Sequence, residues 1–100
     1  MVKHIILWQL KDEISAEEKE SIKKNIKTEL EGLKGKIEGL VDIHVQYEAL
    51  GSSNAEVMLD STFSDADALK NYSVHPAHVQ VADTYVRPYT KTRMCMDYTI

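Results

Sequence analysis

The nine residues Val2-Lys3-His4-Ile5-Ile6-Leu7-Trp8-Gln9-Leu10 are apolar on both sides of an extended chain, and few folds accommodate such a segment. The run is rich in β-branched and aromatic residues, the composition of a strand. Alternation sends Val2, His4, Ile6, Trp8 and Leu10 to one face and Lys3, Ile5, Leu7 and Gln9 to the other. Strands of that kind sit inside sheets covered on both faces. Exposing Ile5 and Leu7 would forgo about 1.5–3 kcal/mol each. A chain of 100 residues makes one domain, with helices enough for one sheet face. A second copy of the sheet is the simplest cover for the other, and a two-fold homodimer the commonest way to supply it. The bland alternative is a monomer with a partly apolar surface, which single exposed leucines do not exclude.

The remaining pattern supplies the partners of that strand. Ser15-Ala16-Glu17-Glu18 has the form of a capping box, and Ile22, Ile26, Leu30 and Leu33 follow on one face of a helix. Gly32, Gly35 and Gly39 mark its end. From Val41 to Tyr47 the chain alternates, with Val41, Ile43, Val45 and Tyr47 on an apolar face and Asp42, His44 and Gln46 opposite. The turn cluster Gly51-Ser52-Ser53-Asn54 precedes a third strand over Ala55 to Phe63. Ser64-Asp65-Ala66-Asp67 caps a short helix carrying Leu69 and Tyr72. Pro76 fits the first turn of another, whose inward stripe reads His78, Ala82, Tyr85 and Tyr89 and which Pro88 ends or kinks. Thr92 to Thr99 closes the chain as a fourth strand. The order β-α-β-β-α-α-β is that of an α+β ferredoxin-like sandwich with a four-stranded antiparallel sheet.

Sixteen acidic against twelve basic residues leave a formal charge of −4, which argues against a nucleic-acid partner. The apolar run Ile5-Ile6-Leu7-Trp8 is far shorter than the roughly 20 residues of a membrane span, and Val2-Lys3-His4 before it does not make a signal peptide. A single cysteine, Cys95, forms no internal disulfide, so a reducing cytoplasm is the expected compartment. Neither G-x-G-x-x-G, G-x-x-x-x-G-K nor a G-x-S-x-G elbow occurs, so no nucleotide cofactor or serine nucleophile is expected. Cys95 reads as a small buried hydrophobe.

Four histidines carry the chemical interest. His44 lies among Asp42 and Gln46 on a polar strand face. His75, directly before Pro76, suits a helix start, where a side chain that bonds backbone N–H groups is useful. His75-x-x-His78 has metal-like spacing without a third ligand from any Cys or carboxylate motif, so no metal is expected. His78 shares an inward stripe, and His4 a strand face with Ile6 and Trp8. Tyr72 precedes His78 by six residues, so a phenol and an imidazole meet with little loop to order. Histidine, with an ordinary pKa near ~6.5, exchanges protons at neutral pH, and a tyrosine hydroxyl donates to a developing oxyanion. Those are the parts for proton abstraction beside a carbonyl; a tyrosine–histidine hydrogen bond that only locks the packing needs the same two residues.

The segment Tyr72-Ser73-Val74-His75-Pro76-Ala77-His78-Val79, with Val2-Lys3-His4, Phe63 and Asp97-Tyr98, resembles the stress-responsive dimeric α/β-barrel domain family. The resemblance spans nearly the whole chain, and the His-Pro-x-His segment is its most specific part. It implies ferredoxin-like homodimers whose sheets pack into a barrel. The best-understood activity in that family is a plant polyketide cyclase that uses neither metal nor organic cofactor. There a histidine is general base for an intramolecular aldol condensation, helped by a tyrosine, with a further histidine on the first strand. The resemblance implies those positions for His78, Tyr72 and His4, and pocket walls at Ile6, Trp8, Leu59, Val81 and Ala82. Trp8 is bulkier than the residue it replaces, Ile22 and Ile26 stand where that pocket has aromatics, and Pro88 alters the last helix, so the plant substrate does not transfer.

The expectation is thus one pocket per subunit between sheet and helices, reached by His4, Trp8, Leu59, Tyr72, His78 and Tyr85. It would bind a small, mostly apolar, carbonyl-bearing molecule, with His78-dependent proton transfer as in a cofactor-free cyclase or lyase. Two other readings stand beside it: a non-enzymatic stress or structural protein, and a cofactor-independent monooxygenase, for which Trp8 is the hint.

Overall fold

The computed structural model describes residues 1–100 and puts β1 (Val2–Leu10) in the interior of a four-stranded antiparallel sheet. On one side it pairs with β3 (Val57–Phe63), on the other with β4 (Thr90–Thr99), and β2 (Leu40–Gln46) lies outside β3. Between β1 and β2 runs α1 (Ala16–Glu31); α2 (Ala66–Val74) and α3 (Pro76–Val81) follow β3. This is the ferredoxin-like α+β fold expected from the element order. No helix is long and apolar enough to cross a membrane.

Local chemistry explains the element ends. The Ser15 hydroxyl accepts the Glu18 N–H at 3.1 Å to start α1, and the Asp65 carboxylate accepts the Ala68 N–H at 2.8 Å to start α2. Ile22, Ile26 and Leu30 of α1 pack into one core with Ile6, Trp8, Leu10, Val45, Leu59 and Phe63. Gly39, at φ +85°, turns the chain into β2 against α2, where an added Cβ would stand 2.4 Å from that of Ala68.

The other sheet face carries no helix. Cross-strand pairing lines up Ile5 with Met96 and Leu7 with Met94 on that face, and Met94 and Met96 are 71% and 66% exposed. The β4 alternation is therefore inverted relative to a strand with one dry side: Met94, Met96 and Tyr98 point away from the helices, and Arg93, Cys95 and Asp97 share the helix-side face with Trp8, Ile6 and His4.

Three expectations from the sequence need correction here. Val41 does not join Ile43 and Val45 on the inner face but is 44% exposed, because the ladder slips between Leu40 and Asp42 and Leu40 takes the buried place. Cys95 is exposed rather than buried, since β4 is an edge strand beyond the reach of the helix layer. The third concerns the end of α3. Its continuation, Ala82–Val86, is a π-helical turn in which the Arg87 N–H donates to the Ala82 carbonyl, five residues back. Pro88 has no N–H to continue the α pattern, and a 3₁₀ turn over Arg87–Tyr89 leads into β4. The wider turn changes the phase of the stripe, so Val86 is buried with Ala82 where the α-helical spacing assigned Tyr85.

Candidate functional site

Between the helix-side face of β1 and the α2–α3 segment lies a hollow of about 160 Å³. His4, Ile6 and Trp8 of β1, Leu59 of β3, Tyr72 of α2, and His78 and Ala82 of the last helical segment reach it, as the sequence predicts. Val81 and Tyr85 do not. They line a separate groove between α1 and α3, and there the Glu29 carboxylate holds the Tyr85 hydroxyl above its ordinary pKa. Val86 occupies the wall in place of Tyr85, the consequence of the π turn.

His4 is held from two sides. Its strand neighbours in register are Ser61 and Asp97. The Ser61 hydroxyl, fully buried, donates to the His4 carbonyl at 2.9 Å, and the Asp97 carboxylate meets the His4 Nδ1 at 2.5 Å. Cys95 stands 3.8 Å from the same Nδ1, and its thiol is kept above its ordinary pKa by desolvation and then by the Asp97 charge, which disfavours a thiolate nucleophile. His4, Cys95 and Asp97 offer three ligand atoms within 4.8 Å of one another.

Tyr72 and His78 meet as stacked rings, with centroids 4.1 Å apart and planes 35° from parallel. The Tyr72 ring also packs on Phe63 at 4.9 Å and on His4 at 6.2 Å. This arrangement is not the mutual hydrogen bond that would merely lock the core. Both the Tyr72 hydroxyl and the His78 Nδ1 are buried with no protein partner. Burial raises the Tyr72 pKa, so the phenol stays protonated and a donor. Burial also lowers the His78 pKa against a contribution of the Ser73 backbone that raises it, and the charges of Arg87, His4 and Arg93 lower it further. The imidazole is therefore neutral at neutral pH and able to accept a proton.

The remaining histidines are structural. His75 caps α3, its Nδ1 accepting the Ala77 N–H at 3.1 Å. His44 is exposed and bonded to Asp42 at 2.9 Å. Sequence reasoning missed Arg87, Thr90, Arg93 and Val86 on the hollow's wall, and the contact of Asp97 with His4. The signal for Arg93 and Asp97 lay in β4 itself: Met94, Met96 and Tyr98 alternate with Arg93, Cys95 and Asp97, and only the pairing partner says which set faces the helices.

Fold and site together define a small ferredoxin-like domain with a half-enclosed, largely apolar hollow, two of whose lining residues carry buried polar atoms without a protein partner. The model of the Stress Responsive A/B Barrel Domain matches residues 2–100, and the chain belongs to that family. It is 30% identical over 101 residues to olivetolic acid cyclase from Cannabis sativa, covering 98% of this chain and 95% of that one. It is likewise 30% identical over 104 residues to the stress-response A/B barrel domain-containing protein HS1 from Arabidopsis thaliana, covering 97% and 87% of the two chains. Among solved structures, a dimeric protein of ferredoxin-like fold from Bacteroides fragilis superposes with a TM-score of 0.92 at 31% identity, covering 99% of this chain and 95% of that one.

Proposed function

We propose that this protein binds a small, largely apolar, carbonyl-bearing molecule in the hollow and moves a proton at the carbon next to the carbonyl. The observation that carries this reading is the pair of buried, unpartnered polar atoms Tyr72 Oη and His78 Nδ1, which belong to two residues lining one cavity. Each such atom costs about 1–3 kcal/mol in a core that has no use for it. A carbonyl oxygen in the hollow satisfies the Tyr72 hydroxyl, and an acidic C–H gives its proton to the neutral His78 imidazole. The carbon–hydrogen electron pair moves onto the carbonyl oxygen as an enolate, which Tyr72 stabilises by hydrogen bonding. His78 then returns the proton to the product oxygen or carbon, so nothing is oxidised or reduced. His4, held by Asp97 and packed edge-on against the Tyr72 ring, lines the hollow as the second imidazole. Similarity to a protein named as a cyclase supports chemistry of this kind.

The active form is a homodimer joined through the open sheet face. Ile5, Leu7, Met94 and Met96 form an uncovered apolar surface there, and the similar Bacteroides fragilis structure is a dimer. The hollow lies on the opposite, helix side of each sheet.

Deuterium uptake at the α-carbon of a small aryl ketone in heavy water, followed by NMR, tests the chemistry. The expected result is exchange above buffer for the wild type and none above buffer for His78→Ala of unchanged melting temperature. Equal exchange by the two proteins would refute the role of His78.

A further inference from the structure

The chain as a whole is acidic, with 16 Asp and Glu against 12 Lys and Arg. The hollow has the opposite character: no carboxylate lines it, and its exposed rim carries two guanidinium groups, Arg87 after the π turn and Arg93 on β4. Arg87 is paired with Asp83 one turn earlier. Arg93 takes part in none of the protein's ion pairs and sits beside Trp8 across the β1–β4 ladder. In a protein with a surplus of carboxylates, an unpaired arginine at the mouth of an apolar cavity is a charge without its counterpart.

Size limits the rest of the ligand. A dry cavity of roughly 150 Å³ holds a benzene molecule, and this hollow measures about 160 Å³. The buried side chains of Trp8, Leu59 and Val86 make part of its wall apolar. We propose that the ligand is a small monocarboxylate, with an apolar body of single-ring size inside the hollow and its carboxylate at the rim, held by Arg93 with Arg87 beside it. Arginine is suited to this because its planar fork meets both carboxylate oxygens at once. The proposal rests on the hollow being the ligand site and adds the charge and size of what enters it. The rim arginines then fix the acid end, and the body of the ligand is presented to Tyr72 and His78 deeper in.

The test is binding of benzoate and of its neutral isostere benzamide, each titrated into the wild type and into Arg93→Gln and followed by backbone amide shifts. Benzoate has no exchangeable α-proton, so the result is independent of turnover. The expected outcome is shifts at Ala82 and Val86, benzoate bound about tenfold or more tightly than benzamide, and that preference lost in Arg93→Gln, the size of effect typical of a hydrogen bond to a charged group. Arg93 is exposed on an edge strand, and an unchanged melting temperature verifies that the variant is folded. Equal binding of the two probes, or an undiminished preference in Arg93→Gln, overturns the proposal and leaves the hollow as a ligand site. Binding of neither probe overturns the hollow as a site, and the carboxylate with it.

Discussion

Replacing Tyr72 by phenylalanine should move stability and activity in opposite directions. The ring is only 1% exposed, and its packing on Phe63 and His78 is retained in the variant, so the substitution removes one oxygen and little else. That hydroxyl has no protein partner. A buried donor without a partner costs about 1–3 kcal/mol, and the neighbouring hollow, which is not fully closed, argues for the lower end. The variant should thus gain about 1 kcal/mol, which for a domain of this size raises Tm by about 4–8 °C. If the hydroxyl supports an enolate oxygen, the α-proton exchange rate should fall by about 10²–10³. Burial keeps the phenol protonated across neutral pH, so ionisation does not enter the comparison. Melts followed by circular dichroism at one fixed protomer concentration, alongside heavy-water exchange, read both quantities. A drop in Tm of several degrees would show that the hydroxyl is bonded within the fold, and an undiminished exchange rate would remove it from the chemistry.

Further outcomes follow from other parts of the molecule. Because burial holds the His78 pKa low, the acid limb of the rate–pH profile should lie below the ordinary histidine value of about 6.5; a midpoint at or above it contradicts the assignment. A depressed folded-state pKa also means that His78 contributes stability present above about pH 6.5 and lost as the pH falls through the lowered value, a slope that denaturant titrations should find weakened in His78→Gln. Met96→Lys, placing a charge opposite Ile5 on the open sheet face, should convert a particle of twice 11.4 kDa into one of 11.4 kDa by light scattering; an intact dimer would move the interface elsewhere. Gly39→Ala should cost at least about 2 kcal/mol, combining a left-handed backbone with a clash on Ala68, whereas Gly35→Ala, at the same φ with open space around it, should cost about 1 kcal/mol. Equal urea midpoints for the two would refute the clash.

The family's His-Pro-x-His segment and the two-sided strand were legible in the amino-acid order because each depends on near neighbours. Strand alternation, the caps at Ser15 and Asp65, the bonding of His75 to its own helix and the α1 stripe are all settled within a few residues of chain. So was the convergence of His4, Tyr72 and His78, since topology and face parity together aim them at one layer. The tertiary structure alone decided what depends on partners distant in the chain. Whether Arg93 and Asp97 or Met94 and Met96 meet the helices is set by the register of β4 against β1, ninety residues away in sequence, and either parity is compatible with the local pattern. The slip at Leu40 and the π turn at Ala82 each displace a side chain by one position, which turns Val41 to water and exchanges Tyr85 for Val86 at the hollow. Periodicity assumes an unbroken phase, and a single irregular residue resets it; only the packing of sheet, helix and proline shows where that happens.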